Sequence, residues 1–167
     1  MNIKHNILLN PGPATTTDTV KLAQLVPDIC PREREFGDLM RELGANLLKV
    51  VHADPADWTT VLFCGSGTIA MDACVSSLVP AEGKFLIVNN GAYSARAAEM
   101  ARAYSVPHID LKFPIDGLPD LAEVERTLVE NPDIAAVYTT HQETGTGILN
   151  PVREIGALAH AHGAVMI

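Results

Sequence analysis

Gly65-Ser66-Gly67-Thr68 is the run in this sequence best suited to hold an anion. An apolar, β-branched stretch, 59–64, precedes it, and a stretch of helical composition, 68–79, follows. That order sets backbone N–H groups and two hydroxyls at a helix N-terminus, where the amides and the helix dipole favour a phosphate dianion. The glycines permit close backbone approach. The same four residues also suit a plain strand–helix turn with an N-cap. Gly65, Gly67 and Ala70 fit G-x-G-x-x-A, but a dinucleotide site needs an acid at the end of the next strand to hold the ribose. Here that strand ends Val88-Asn89-Asn90-Gly91. A Walker loop needs a lysine after the second glycine, and none follows. A phosphate carried by something other than a nucleotide is the better fit. A non-catalytic nucleotide-binding Rossmann module is the alternative of another class.

The elements that must position this loop alternate. Strands are expected at 59–64, 84–89, 106–113, 134–140 and from 164. Helices are expected at 68–79, 92–104, 121–130 and 152–162, the last closed by Gly163. Near-continuous apolar strands between helices predict a mostly parallel sheet covered on both faces, an α/β fold. Residues 1–58 read as a separate N-terminal part: an extended arm, a helix near 19–25, a loop bracketed by Pro27 and Pro31, and a helix over 36–51.

The chain of 167 residues is 47% hydrophobic and 19% charged, with 12 Lys and Arg against 20 Asp and Glu. Such a chain is neither disordered nor a coiled coil. The balance of −8 and the lack of a basic stripe exclude a phosphate-backbone binder, so no nucleic-acid partner is expected. Cys30, Cys64 and Cys74 show neither CxxC nor regular spacing, which points away from zinc and disulfides. Cys64 and Cys74 read as small buried hydrophobes. The only apolar run near the N-terminus, Ile7-Leu8-Leu9, is too short for a signal peptide. No run approaches the ~18 residues of a membrane span. A cytoplasmic protein is expected.

Three motifs then occur in order: Gly65-Ser66-Gly67-Thr68, Asn89-Asn90-Gly91-Ala92-Tyr93-Ser94-Ala95-Arg96, and His141-Gln142-Glu143-Thr144-Gly145-Thr146-Gly147-Ile148-Leu149-Asn150-Pro151. With the leading Leu8-Leu9-Asn10-Pro11-Gly12-Pro13, the chain resembles a class V aminotransferase of pyridoxal 5'-phosphate (PLP) fold type I. The run Asn10 to Thr17, the stretch Asp28 to Glu33 and the Asn-Gly-Ala-Tyr of the second motif are most similar to the branch that uses 2-aminoethylphosphonate and pyruvate. Alanine–glyoxylate and serine–pyruvate aminotransferases share the scaffold. Cysteine desulfurases fit less well, since they place a histidine where Tyr93 stands.

The resemblance implies roles. Ser66, Gly67 and Thr68 form part of the cup for the PLP phosphate. Tyr93 stacks on the pyridine ring. Thr144 hydrogen-bonds near the ring hydroxyl. Gly12 lines the substrate entrance through its backbone. It implies residues 59–167 as the first part of the PLP-binding large domain, and a homodimer for the complete enzyme. The family's cofactor-linked lysine and the acid at the pyridine nitrogen match no position here, so no catalytic residue is expected within 1–167. The chain reads as a fragment, truncated within the large domain, with its small C-terminal domain also absent, and inactive alone. His141 is expected to be a hydrogen-bonded packing residue, and His160 and His162 a solvated helix end. Arg32 to Glu35 are expected to form a solvated charged face.

Overall fold

The computed structural model describes Lys4 and residues 6–167. Met1, Asn2, Ile3 and His5, part of the N-terminal stretch read above, lie outside the described residues. Chain contacts divide the molecule into two units, 1–64 and 65–167.

The first unit contains helices α1 (Asp18–Leu22) and α2 (Arg34–Val50). In α2, Leu39, Leu43 and Leu47 recur every four residues and form an apolar stripe, yet all three are exposed, and no α2 residue is buried. Arg32 to Glu35 are exposed as expected, and Arg34 pairs with Asp38 one turn on at 3.7 Å. The strand expected over 59–64 does not form. A strand is held by its ladder, and no strand exists among the described residues of this unit. Val61 and Phe63 are exposed, while Thr60 Oγ1 donates instead to the Gly44 carbonyl at 3.0 Å. Cys64, expected to be buried, is exposed for the same reason.

The second unit runs α3 (Gly67–Ser77), β1 (Lys84–Asn89), α4 (Ala92–Ala103), β2 (His108–Lys112), α5 (Leu121–Glu130), β3 (Ile134–Thr139), α6 (Val152–Ala161) and β4 (Val165–Met166). The four strands form one all-parallel sheet in the order β2-β1-β3-β4. Successive β1 side chains take opposite faces. Phe85 and Ile87 pack with Val75 of α3 and Ala97, Ala98 and Ala101 of α4. Leu86 and Val88 pack with Val124 and Leu128 of α5 and Ile155 and Ala159 of α6. Burial on both sides explains why β1 reads as an unbroken apolar run.

The helix faces follow the direction of travel. The step from β1 to β2 goes one way across the sheet and carries α4. The steps to β3 and β4 go the other way, and α5 and α6 cover the opposite face. Right-handed crossovers require that switch of face when direction reverses. Local signals set the ends. Asp120 caps α5 by accepting from the Ala122 amide at 2.9 Å. Gly163, at φ +75°, closes α6 with a paired motif: its own amide donates to His160 O and the Ala164 amide to Ala159 O. His160 and His162 are exposed at that end.

Candidate functional site

In an open parallel sheet, ligands bind beyond the carboxyl ends of the strands where the order reverses. In this sheet that place lies between β1 and β3. The Asn89–Arg96 motif follows directly from β1, and the His141–Pro151 motif follows β3. Two of the three sequence motifs therefore meet at the switch point.

A buried amide pair ties the two loops together. Asn90 Nδ2 donates to Asn150 Oδ1 at 2.8 Å, and Asn150 Nδ2 donates back to Asn90 Oδ1 at 2.9 Å. Asn150 Nδ2 also reaches the Thr140 carbonyl at 2.7 Å, and Asn90 Nδ2 the Gly117 carbonyl at 3.0 Å. Ser94 and Thr140 hydroxyls share a hydrogen bond at 2.9 Å. Asn89 occupies the position where a dinucleotide site needs an acid, and it donates to Asp110 of β2 at 2.7 Å. That bond is structural and leaves the ribose-binding requirement unmet.

Glu143 is the residue that sequence reasoning passed over. Its side chain is only 1% exposed. Oε1 accepts from the Gly145 amide at 3.5 Å, and Oε2 is buried without a partner. The carboxyl lies against Gly91, the N-cap of α4. An acid there faces the positive end of the helix dipole. Thr139 Oγ1, at the carboxyl end of β3, is a second buried polar atom without a partner. Burial, then the nearby Glu143 carboxylate, pushes the Tyr138 phenol above its usual range, against a hydrogen bond from Thr140 that lowers it.

Ser66, Gly67 and Thr68 open α3, with Ser66 as its N-cap. The Ser66 side chain makes no capping bond to its own helix. Space around Gly67 is open: a Cβ built there meets nothing within 4 Å. Tyr93 sits half-buried in the first turn of α4. Arg96, one turn on, links these groups. Its guanidinium lies over the Tyr93 ring, 5.0 Å from the centroid, and its Nη1 donates to Thr68 Oγ1 at 3.4 Å. Thr68 and Tyr93 are thus brought together. Thr144 is exposed in the loop next to Glu143. Gly12 is exposed in the first unit. His141 is exposed too, which corrects the expectation of a packing residue; its carbonyl accepts from the Asn150 amide. Among the described residues no group of three or more His, Cys, Asp and Glu side chains could hold a metal.

The class V aminotransferase profile matches residues 27–167. The chain belongs to the class V aminotransferase family. It is 37% identical over 162 residues to a 2-aminoethylphosphonate–pyruvate transaminase of Lactiplantibacillus plantarum, covering 96% of this chain and 44% of the relative. It is 36% identical over 167 residues to the enzyme of the same name from Bacillus cereus, covering 100% and 46%. A crystal structure of an alanine–glyoxylate aminotransferase from Nostoc sp. superposes with a TM-score of 0.83 at 27% identity, covering 99% of this chain and 43% of that one. The chain spans less than half the length of these relatives.

These donors fit the family's cofactor chemistry. A helix N-terminus with an uncommitted serine hydroxyl and open glycine space suits a phosphate. A half-buried tyrosine joined to it through one arginine suits a flat ring. Asn90, Glu143 and Asn150 lay within quoted motifs, but their pairing across 60 residues leaves no trace in local spacing.

Proposed function

We propose that this chain forms part of an enzyme that moves the amino group of 2-aminoethylphosphonate to pyruvate, giving phosphonoacetaldehyde and alanine. The observation that carries the chemistry is the meeting of Thr68, Arg96 and Tyr93 beside loops packed at the sheet's switch point. The substrate class follows from relatives of that name at 36–37% identity.

In this reading Ser66, Gly67 and Thr68 hold the PLP phosphate through hydroxyl and amide donors. Tyr93 stacks on the ring and excludes water from one of its faces. Thr144 hydrogen-bonds near the ring hydroxyl, and Gly12 lines the substrate entrance. When bound, PLP would supply an aldehyde carbon and an electron-withdrawing ring, the chemistry that amino transfer requires. No residue of 1–167 is assigned a proton-transfer role. Residues 59–167 are the first part of the cofactor-binding domain. The complete enzyme is read as a cytoplasmic homodimer, and the exposed Leu39, Leu43 and Leu47 stripe is an apolar face that a second copy would cover. Among the described residues no helix is long and apolar enough to cross a membrane.

The test is amino transfer by the full-length protein loaded with PLP, read as the aldehyde or keto product left by each amino donor. Activity with 2-aminoethylphosphonate and pyruvate should exceed that with alanine and glyoxylate or serine and pyruvate. A preference for either of the latter pairs would overturn the substrate assignment.

A further inference from the structure

Arg96 is exposed, so neither core packing nor burial accounts for where its guanidinium lies. It stands one helical turn after Tyr93 on α4, which puts the two side chains on one face. The guanidinium covers one face of the Tyr93 ring at 5.0 Å, and Nη1 reaches across to Thr68 Oγ1 on α3 at 3.4 Å. One planar cation therefore touches two side chains, 25 residues apart in the chain, that belong to different helices.

The chemistry of each contact has a direction. Arginine only donates, so its N–H takes a lone pair of the Thr68 oxygen and leaves the hydroxyl hydrogen to point elsewhere. A phosphate oxygen is an acceptor and would receive it. Without the arginine, that hydroxyl is free to turn back onto a local backbone carbonyl. At Tyr93 the cation occupies one face of the ring, so only the other face is left for a stacking partner. Lysine cannot do both jobs, since an ammonium has no flat surface and no fixed fork.

We propose that Arg96 is a positioning residue for a phosphorylated aromatic cofactor, fixing the Thr68 hydroxyl and the Tyr93 ring as one recognition unit. The inference rests on the functional reading above and deepens it. It separates two contributions: the phosphate is held through Thr68, and the ring through Tyr93.

The experiment is equilibrium binding of PLP and of pyridoxal, which lacks the phosphate, to the full-length protein, followed by quenching of protein fluorescence. Arg96→Met should weaken PLP about tenfold and pyridoxal only about two- to threefold. In a Thr68→Val background the same substitution should weaken PLP only about two- to threefold, because the shared hydroxyl is already gone. Arg96→Lys should recover only part of the loss. Unchanged PLP binding by Arg96→Met overturns the proposal, as do equal losses for both ligands, additive effects with Thr68→Val, or full recovery by Arg96→Lys. If the unsubstituted protein binds neither ligand, the functional reading fails and takes this inference with it; if it binds both, the substitutions judge Arg96 alone.

Discussion

Gly91 is glycine for reasons of space, and substituting it with alanine tests how the site is held together. Its φ of −179° is extended backbone that any residue adopts, so conformational freedom is not what the position requires. A Cβ built on Gly91 falls well inside 3.0 Å of the Glu143 carboxyl, closer than real Cβ contacts come. Glu143 is 1% exposed, so a carboxyl displaced by the new methyl has to find room in a filled site. Taken by itself, a tolerated glycine-to-alanine change stabilises by ~0.4–1 kcal/mol through the unfolded chain. Overpacking a filled site costs about 1–3 kcal/mol, and alanine is a poorer N-cap than glycine. Gly91→Ala should therefore destabilise by about 2 kcal/mol, read from the midpoint of a urea transition. Adding Glu143→Ala removes the obstructing group, so the pair should be non-additive by ~1–2 kcal/mol in the compensating direction. A Gly91→Ala protein within about 0.5 kcal/mol of the parent, or strict additivity with Glu143→Ala, would refute the reasoning.

Asn150→Ala removes three side-chain hydrogen bonds and strands the Asn90 amide in the interior, so a loss of about 3 kcal/mol is expected in the same denaturation assay. Burial raises the Tyr138 phenol, so the folded state favours its neutral form. That contribution is intact below about pH 10 and falls as pH rises through the folded value. Tyr138→Phe should then flatten part of the stability loss above about pH 10, measured by denaturation across an alkaline series. Asp120→Ala removes the N-cap of α5 and should cost ~1 kcal/mol while leaving PLP affinity unchanged.

Much of this molecule is legible from local pattern. Strand β1, helix α5 and the closure of α6 by Gly163 fall where apolar periodicity and capping residues set them. Those signals are local, because a helix or a buried strand writes its period into a few adjacent residues. The anion-suited composition of Ser66, Gly67 and Thr68 is local for the same reason: one turn of chain carries its hydroxyls and amides. The segment 59–64 shows the limit. Its composition suits a strand, but composition cannot supply the neighbour that a ladder needs.

By itself, then, the sequence determined the alternation of elements, the anion-suited loop and the likeness to class V aminotransferases. Only the tertiary structure decided the order β2-β1-β3-β4, and with it the switch point where the second and third motifs meet. It alone paired Asn90 with Asn150, set the Glu143 carboxyl against Gly91, and laid Arg96 between Thr68 and Tyr93. The Thr68–Arg96, Gly91–Glu143 and Asn90–Asn150 contacts join residues 28 to 60 positions apart. Their partners are chosen by how helices cover a sheet, and no local period encodes that choice.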